Sequence, residues 1–487
     1  RARTLRPPDQ PWGGMRSLVI AATFLCGGAV AQGTSKLYPP GWNKEATKPP
    51  MGWRSWNAFG NRIDEKTFEA AVDAITARVW NEPKMSLADA GYVRVGIDEG
   101  WENCSGTDPA GGMRQHDEAG FPLINVERFP DMKRLVAYGH TKGVKMGWYL
   151  NGCACGEAKE RLPNYRGDVQ RLAEFGFDAV KIDGCGAATN MTYYAQLMAA
   201  TNKTYEIENC HWGVCGADRK FHNPDGASCP TEEWCPFNHF RTSGDINAGP
   251  MSWFANLQTT LRFLDARSPL SRPSCWAYPD MLEVGRVQGA SFAWQRAHFG
   301  AWCVVSAPLV LGLDLTDTAN LASVVPIVTN PEAIAVNQQW AGHPGRLVAQ
   351  GRPAGEAALP SAAKAKVQVW AKPQPKGTVA VYVVNPAASG NAARVSVGFE
   401  ALGLAAASAS VRCPRAGGAR PGGDVRDTPR TFSIGARLVG EAGGGPHQGR
   451  DAHRRGRAPR FGLPAPHARS SVSQCARHPR PSASPGN

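Results

Sequence analysis

The most restrictive feature of this chain is a repeated alternation of strand-like and helix-like segments from about Pro49 to Asn337. Repeated strand–helix units with polar residues just after each strand are typical of a closed parallel barrel, so we expect a (β/α)8 TIM barrel. A doubly wound open sheet is the rival architecture, but no glycine-rich phosphate-binding fingerprint opens the first unit. The predicted strands are Tyr92–Ile97, Val144–Tyr149, Asp178–Ile182, Thr204–Glu208 and Pro308–Leu313, and the predicted helical segments are Leu87–Gly91, Met132–Gly143, Val169–Phe175, Tyr193–Thr201, Ser252–Asp265 and Ser291–Ser306.

A second, smaller domain follows the barrel. After about Gly342 the pattern changes to short alternating runs separated by turn residues, which are typical of a small antiparallel β-sandwich. Its predicted strands are Val367–Trp370, Val379–Val384 and Ala393–Glu400. We assign the catalytic barrel to residues 32–341 and the sandwich to residues 342–412. The sandwich is expected to be incomplete and to contribute packing and stability.

The net charge of +13 comes mainly from the two ends of the chain. Residues 413–487 carry 13 Arg, no Lys and four acidic residues, and residues 1–31 carry four Arg and one Asp. The remaining body is close to neutral, so the basic balance gives no reason to expect a nucleic-acid partner. The Arg-, Pro- and Gly-rich composition of residues 413–487 predicts a disordered tail, and a mistranslated segment of the gene explains it equally well.

The amino-terminal segment has the pattern of a secretory signal. Met15 is followed by Arg16, the apolar run Leu18–Cys26 and the small residues Ala29–Ala31. We expect cleavage after Ala31, with residues 1–14 as translated leader sequence; the alternative is a buried amino-terminal helix. The apolar run is too short for a stable membrane anchor. The expected location is therefore the secretory pathway, with a secreted, lysosomal or vacuolar destination.

Cysteine usage agrees with export. Ten Cys remain between the leader and the tail, and an even number in an exported protein indicates disulfides. Three glycosylation sequons suit a secreted glycoprotein, and they lie at Asn103, Asn190 and Asn202. A zinc site is the alternative, but the spacings fit no standard zinc pattern. The residues that could suggest zinc are Cys153, Cys155, Cys210, His211, Cys215, Cys229 and Cys235.

The candidate catalytic residues lie where predicted strands end, because barrel enzymes build their active sites at that face. A single acid in such a place is as often a helix N-cap, whereas several acids around one mouth indicate a catalytic site. The strand-end residues are Trp53, Trp56, Asp98, Glu99, Tyr149, Lys181, Asp183, Cys210, His211, Trp212, Arg241, Asp245 and Asp280.

Paired carboxylates among these residues suit cleavage of a glycosidic bond, which needs an ionised nucleophile and a proton donor. Lys181 precedes Asp183 by two residues, so both side chains face the same side of a strand. The lysine charge is expected to lower the pKa of Asp183 and keep it ionised. The residues alone do not choose the proton donor, for which the candidates are Asp98, Glu99, Asp245 and Asp280.

Six motifs, in order along the chain, resemble those of glycoside hydrolase family 27, the lysosomal and plant α-galactosidases with their α-N-acetylgalactosaminidase relatives. The resemblance covers about residues 48–345 and continues more weakly to about residue 412. The motifs are Pro-Pro-Met-Gly-Trp53 with Trp56, Gly-Ile-Asp-Glu-Gly-Trp101, Arg128-Phe-Pro-Asp131, Lys-Gly-Val-Lys-Met-Gly-Trp-Tyr149, Val-Lys-Ile-Asp-Gly-Cys185 and Pro-Asp-Met-Leu282.

The resemblance implies a retaining enzyme that releases terminal α-linked D-galactose by double displacement and needs no cofactor and no metal. Asp183, within Lys181-x-Asp183-x-Cys185, would be the nucleophile. Asp245, four residues after a sugar-binding Arg241, would be the acid/base, with the two carboxylates about 5–5.5 Å apart. The other implied sugar contacts are Trp56, Asp98, Glu99, Tyr149, Lys181 and Asp280. The expected partner is an α-galactoside substrate, and a homodimer is compatible with the sequence.

Disulfide pairings are also implied by the resemblance: Cys185 with Cys153 or Cys155, and Cys210 with Cys235. The chain departs from the family at three places. Asp98-Glu99 stands where the family has two Asp, and Ala277-Tyr278 stands where it has Asn-Asp. Cys210-His211-Trp212 replaces a Cys-Glu-Trp whose Glu contacts the 2-position of the sugar. His211 is therefore either a sugar contact or a packed loop histidine. A cysteine-rich insert, Gly213–Cys235, is expected over this loop.

These departures leave alternatives to an α-galactosidase. An α-N-acetylgalactosaminidase or a β-L-arabinopyranosidase would share the catalytic pair. A protein that binds sugar without turnover belongs to a different functional class. A frame-shifted gene that yields no folded protein is the remaining alternative.

Overall fold

The computed structural model describes residues 38–81, 83–107, 113–157, 159–213, 229–287, 289–351, 367–386 and 393–405, with short strand segments at 410–411, 425–426 and 431–436. The expected signal segment, most of the expected tail and residues 214–228 of the cysteine-rich insert lie outside these ranges. The sequon Asn190 caps a helix, since its side chain accepts a hydrogen bond from the Tyr193 amide, whereas Asn202 lies in an exposed turn.

Eight parallel strands form a closed barrel, as the sequence predicts. They are β1 (Met51–Arg54), β2 (Arg94–Gly96), β3 (Lys145–Leu150), β4 (Ala179–Asp183), β5 (Glu206–Cys210), β6 (His239–Arg241), β7 (Trp276–Tyr278) and β8 (Leu309–Leu311). Strand β1 pairs with both β2 and β8. Leu282, just after β7, closes the ring by a parallel bridge to Leu311 of β8. A doubly wound sheet would have two free edges, so this closure excludes the rival architecture.

Nine α-helices lie in the described ranges. They are α1 (Trp56–Phe59), α2 (Glu65–Thr76), α3 (Met132–Thr141), α4 (Leu162–Phe175), α5 (Met191–Ala199), α6 (Ser252–Thr259), α7 (Phe292–Val304), α8 (Thr318–Val328) and α9 (Pro331–Gln338), with 3-10 turns at Gly60–Arg62, Leu261–Phe263 and Pro375–Gly377. Acidic side chains begin three of them: Asp64 accepts a hydrogen bond from the Thr67 amide at α2, Asp131 from the Arg134 amide at α3, and Asp317 from the Asn320 amide at α8.

The barrel strands have an apolar outer face and a largely polar inner face. Trp53, Ile97, Trp148 and Ile182 belong to the main hydrophobic core, which the helices cover. Successive strand residues point to opposite faces, so their neighbours point into the barrel. Those neighbours include charged residues on β1, β2, β4, β5 and β6. They form ion pairs with one another or with Asp98 and Asp280, which lie just beyond the ends of β2 and β7. This alternation carries the charged groups to the mouth of the barrel.

The second domain is built from antiparallel strands. Strands β9 (Arg346–Gly351), β10 (Val367–Gln374) and β11 (Thr378–Val384) form one sheet, and β12 (Ala393–Gly398) pairs with β13 (Thr431–Ala436). Two-residue strands pair at Ser410–Val411 with Val425–Arg426; a similar pair in the barrel domain, Gly106–Thr107 with Met113–Arg114, lies after β2. The sandwich has a small core of its own around Val369 and Phe399. It is attached to the barrel through Trp370, which joins the main core.

Three sequence predictions differ from the structure. The segment Leu87–Gly91 is a turn rather than a helix end, and the preceding helix is α2, which ends at Thr76. Helix α4 begins at Leu162, because a proline at its first turn is compatible with helix and lengthens it towards the amino end. The helix expected over Ser252–Asp265 ends at Thr259 and is followed by the 3-10 turn Leu261–Phe263. Beyond residue 412, strand β13 occupies Thr431–Ala436, where Thr-Phe-Ser-Ile alternates in the strand period.

Within the described ranges, no single helix is long and apolar enough to cross a membrane. Helices α8 and α9 taken together have the length and apolar composition of a membrane-spanning segment, but they are bent by 62° at the break between them.

Candidate active site

The carboxyl ends of the barrel strands surround a small pocket. It contains every residue that the family resemblance assigns to the catalytic pair and the sugar site except His211, but it does not contain the strand-end candidates Trp53 and Cys210. It also contains the strand-end candidate Trp212 and three residues that the sequence did not assign to the sugar site: Cys153, Cys185 and Met281. The complete lining is Trp56, Asp98, Glu99, Tyr149, Cys153, Lys181, Asp183, Cys185, Trp212, Arg241, Asp245, Asp280 and Met281.

Asp183, the last residue of β4, is buried and held at both carboxylate oxygens. The Tyr149 hydroxyl donates to Oδ2 at 2.9 Å, and the Gly184 amide donates to Oδ1 at 2.6 Å. Burial raises the pKa of Asp183, while the charge of Lys181 and the hydrogen bond from Tyr149 act to lower it. From the sequence we expect the charge of Lys181 to have the larger effect and to lower the pKa of Asp183. The desolvation of a nearly inaccessible carboxylate outweighs it here.

Lys181 does not point at Asp183 alone. Its ammonium donates to Oδ2 of Asp98 at 2.8 Å and lies 4.9 Å from the centre of the Tyr149 ring. Burial acts to lower the pKa of Lys181, but the Asp98 carboxylate raises it above its usual range. The lysine is therefore a fixed positive charge between the two carboxylates.

Glu99, which follows Asp98, is fixed by the loop after β3. Its Oε1 accepts a hydrogen bond from the Ala154 amide at 2.5 Å. Burial raises the pKa of Glu99, and the amide hydrogen bond opposes that rise. The longer glutamate side chain thus reaches backbone beside Cys153, and it remains on the pocket wall.

Arg241 at the end of β6 holds two carboxylates with one nitrogen. Its Nη2 lies 2.9 Å from Oδ1 of Asp245 and 2.9 Å from Oδ2 of Asp280. Burial raises the pKa of Asp280, and the arginine opposes it. Asp280 also has a φ of 83°, a strained backbone conformation for a non-glycine residue. The side chain of Asp245, in contrast, is 67% exposed.

The residues after β5 divide between core and pocket. His211 is 1% exposed and does not line the pocket, whereas the next residue, Trp212, does. Trp212 has a φ of 54°, which turns the chain sharply at this point. Of the two roles that the sequence allows for His211, a sugar contact and a packed loop histidine, its position agrees with packing. The sequence signal for Trp212 as a pocket residue was its position directly after His211, at the end of a predicted strand.

Disulfides hold the loops around this pocket. Cys153 pairs with Cys185, which is one of the two partnerships expected for Cys185, and Cys155 pairs with Cys104. The expected pairing of Cys210 with Cys235 is wrong. Cys235 pairs with Cys275, and Cys210 is a free, buried thiol. The reason is that Cys210 faces the barrel interior, where Arg241 donates to its sulfur at 3.4 Å.

Sequence reasoning missed a charged network beneath the pocket. Arg54 donates to Oε2 of Glu208 at 2.7 Å, and His239 lies 3.2 Å from the same oxygen. Nη1 of Arg54 is 3.8 Å from Oδ2 of Asp98. Burial acts to raise the pKa of Glu208, but the charges around it bring that pKa well below its ordinary value. The only signal in the sequence was a charged residue at alternate positions of strands that otherwise are apolar.

The family comparison agrees with this site. The model of the alpha galactosidase A family matches residues 48–339, and that of the alpha galactosidase C-terminal beta sandwich domain matches residues 364–412. The chain belongs to glycoside hydrolase family 27. The family 27 barrel therefore contains every residue of the pocket, from Trp56 to Met281.

Several known proteins similar to this family 27 chain are named as alpha-galactosidases, and others are named as alpha-N-acetylgalactosaminidases. "Alpha-galactosidase 3" of Arabidopsis thaliana is 31% identical over 63% of this chain, and the match spans 64% of that protein, less than two thirds of its length. "Alpha-galactosidase A" of Cellvibrio japonicus is 30% identical over 70% of this chain and 77% of that protein. The crystal structure of alpha-galactosidase I from Mortierella vinacea shares the fold, with a TM-score of 0.60, 22% identity, and coverage of 82% of this chain and 96% of that one.

Proposed function

We propose that the chain is a retaining α-galactosidase that releases terminal α-linked D-galactose from oligosaccharides or glycoconjugates. Asp183 is the nucleophile and Asp245 the acid/base. The observation that carries the proposal is that these two carboxylates line one pocket in unlike environments, Asp183 buried and Asp245 mostly exposed. Glycosidases need that asymmetry, because the two carboxyl groups perform different tasks.

The surroundings of Asp183 suit nucleophilic attack. The Tyr149 and Gly184 hydrogen bonds fix both of its oxygens, so the carboxylate is oriented before substrate arrives. Lys181 supplies positive charge nearby. When the glycosyl-enzyme forms, a carboxylate oxygen becomes bonded to the anomeric carbon and its negative charge is lost.

Asp245 suits proton transfer at the open side of the pocket. Its exposed carboxyl group can reach both the leaving-group oxygen and incoming water. In the first step the protonated form gives its proton to the glycosidic oxygen as the bond to the anomeric carbon breaks. In the second step the carboxylate takes a proton from water, which attacks the same carbon and releases Asp183. Two displacements at one carbon retain its configuration.

The remaining pocket residues suit a hydroxyl-rich ring. Asp98, Glu99 and Asp280 offer carboxylate acceptors, and Trp56 and Trp212 offer aromatic faces. The relatives named as alpha-galactosidases support galactose as the sugar. His211 does not line the pocket, so Trp212 takes over that part of the wall in our proposal.

The direct test is release of p-nitrophenol from p-nitrophenyl α-D-galactopyranoside by the full chain. The α-N-acetylgalactosaminide and the β-L-arabinopyranoside analogues are measured alongside, with Asp183→Ala as the control. Proton NMR of the first product gives the anomer. We expect galactoside turnover, its loss in Asp183→Ala, and α-galactose as the initial product.

Other outcomes would revise the proposal in defined ways. Turnover of only one of the other glycosides keeps the mechanism and changes the sugar. Initial release of the β-anomer would contradict double displacement. A folded protein that hydrolyses none of the three is not a galactosidase, and sugar binding without turnover becomes the better description.

We also propose that the chain matures in the secretory pathway, towards a secreted, lysosomal or vacuolar destination. Three disulfides among the described residues support an oxidising compartment. The matched family segments support a barrel assigned to residues 32–341 and a sandwich assigned to residues 342–412. Expression in a eukaryotic secretory host, followed by mass spectrometry of the medium, tests export and cleavage after Ala31. Protein retained in the cytosol with the leader intact would contradict it.

A further inference from the structure

We propose that Arg54 and Glu208 form a positioning pair that sets the affinity of the pocket for sugar. In this assignment the pair holds the carboxylate of Asp98 in place and keeps the ammonium of Lys181 on Asp98. The inference rests on the proposed function, because it treats Asp98 as a sugar ligand.

Arg54 is the last residue of β1 and points into the barrel. Gly96 on β2 lies beside its guanidinium, since a Cβ on that glycine would be in ordinary van der Waals contact with Cζ of Arg54, at 3.5 Å. Arg54 is 9% exposed and Glu208 on β5 is 2% exposed, and Nη2 of the arginine donates to Oε2 at 2.7 Å. The pair thus crosses the barrel interior one layer below the pocket.

The second arm of the guanidinium faces the sugar site. Nη1 lies 3.8 Å from Oδ2 of Asp98, the oxygen that also accepts from Lys181 at 2.8 Å. In the described part of the chain, Nη1 and Nε of Arg54 have no hydrogen-bond partner. Asp98 is 2% exposed, so water screens these charges little. Arg54 is therefore a second cation acting on the same carboxylate oxygen.

Loss of Arg54 would redistribute these charges. Glu208 would remain buried with His239 as its only ion-pair partner in the described chain. A buried carboxylate left this way is costly, and Lys181 already interacts electrostatically with Glu208. We expect Lys181 to shift from Asp98 towards Glu208. Asp98 would then lose both of its cations and its fixed orientation.

The hydrogen bonds of the nucleophile do not pass through this pair. Asp183 is held by Tyr149 and Gly184, and among the described residues neither is hydrogen-bonded to Arg54. A variant that loosens Asp98 while leaving Asp183 in place weakens binding more than the chemical step. Because a shift of Lys181 also removes positive charge from the surroundings of Asp183, the assay is made at a pH above the acid limb, where Asp183 stays ionised. The expected signature at that pH is a raised KM with kcat nearly unchanged.

The experiment compares Arg54→Met with the double variant Arg54→Met/Glu208→Gln. For Arg54→Met we expect KM for p-nitrophenyl α-D-galactopyranoside to rise about tenfold, with kcat within about threefold of wild type. In the double variant the uncompensated carboxylate is gone, so Lys181 stays on Asp98 and most of the affinity returns. Arg54→Lys keeps the charge without the two-armed geometry and should raise KM less.

A matched control lies at the other end of the same barrel. Arg94 on β2 pairs with Glu206 on β5 through Nε and Oε2 at 2.5 Å, and neither residue lines the pocket. Arg94→Met is expected to lower Tm and leave KM unchanged. If Arg94→Met raised KM as much as Arg54→Met, general loosening of the barrel would explain both. That result, an unchanged KM in Arg54→Met, or no recovery in the double variant overturns the proposal.

The result separates this proposal from the function itself. If wild type hydrolyses none of the three glycosides, the proposed function fails, and the pair is then tested by fluorescence titration with free D-galactose, N-acetyl-D-galactosamine and L-arabinose. The same changes are expected in Kd, and equal Kd values for wild type and Arg54→Met overturn the pair. If Arg54→Met does not fold, Arg54→Lys decides: an unchanged KM or Kd there overturns the proposal.

Discussion

The barrel interior contains two layers of ion pairs, an upper layer near the carboxyl ends of the strands and a lower layer near their amino ends, and the two layers have different roles. Both hold an arginine–glutamate pair that crosses to β5: the half-buried Arg94 with the buried Glu206 near the amino ends of the strands, and the buried Arg54 and Glu208 near the carboxyl ends. Among the described residues, the lower pair forms no further ion pair. The upper pair continues through Asp98 and Lys181 into the pocket.

This difference shows that a buried ion pair does not reveal its role by its own geometry. A buried pair is weak evidence for stability, because desolvation offsets much of the attraction. Connection to the reacting groups is what distinguishes the upper layer. In a TIM barrel, the carboxyl face carries function and the amino face carries stability, and here one strand, β5, supplies a glutamate to each.

The largest expected effect is a loss of activity on substitution at the pocket that has no counterpart on substitution in the lower layer. Asp183→Asn removes the nucleophile, so we expect kcat to fall on the order of 10⁴-fold or more, with Tm unchanged or raised because a buried carboxylate has been neutralised. Glu206→Gln in the lower layer should keep kcat near wild type and lower Tm. Steady-state kinetics and thermal melts of both variants test this. Substantial turnover by Asp183→Asn would contradict the assignment of the nucleophile.

A smaller effect concerns the pH profile. Asp183 must be ionised to attack, so kcat/KM falls as pH decreases through its pKa, which burial has already raised. Lys181 opposes that rise, and Lys181→Met should therefore move the acid limb of the profile to higher pH, besides lowering kcat/KM. Arg94→Met is the control and should leave the limb in place. A limb that stays fixed, or moves to lower pH, in Lys181→Met would show that another group sets it.

The smallest effect lies outside both layers and concerns stability. The His116 ring is buried between Glu157, 2.6 Å from Nδ1, and Asp168, 3.0 Å from Nε2. Burial acts to lower the pKa of His116, but the two carboxylates raise it to about 9. The folded pKa lies above the unfolded value, so this stabilisation is complete below about pH 6.5 and is lost as pH rises through about 9.

Thermal melts between pH 6 and 10 measure that contribution. We expect the Tm of wild type to fall by a few degrees across this range for this reason. His116→Asn should have a lower Tm at pH 6 and a flatter dependence above it. Equal slopes for the two proteins would mean that His116 is not protonated in the fold.

The sequence predicted the barrel and its mouth better than the barrel interior. Long runs such as Val144–Tyr149 carry enough periodicity to reveal a strand, and β3 follows it closely. Strands β6 and β7 have three residues each, which is too short for any period to be recognised. Neither was predicted as a strand; only Arg241 at the end of β6, by its spacing from Asp245, and Asp280 just after β7, by its motif, were identified.

The interior was missed for a physical reason. A charged residue in a strand normally marks a solvent-exposed face, so Arg54 and Glu208 give no sign of being buried. Only the closed ring brings β1 and β5 to opposite sides of one interior, where the two charges meet. Similarly, no pattern indicated that Cys235 would pair with Cys275, because disulfide connectivity is not deducible from spacing.

The Cys153–Cys185 bond has a practical consequence for anyone who produces this protein. It joins the loop after β3 to the loop after β4, and both of its residues line the pocket beside Asp183. The wall of the pocket thus depends on oxidation of these two thiols as well as on folding of the chain. In material made in a reducing bacterial cytoplasm, or assayed in buffer containing a thiol reductant, the barrel would be folded but the Cys153–Cys185 bond between the two pocket loops would be absent.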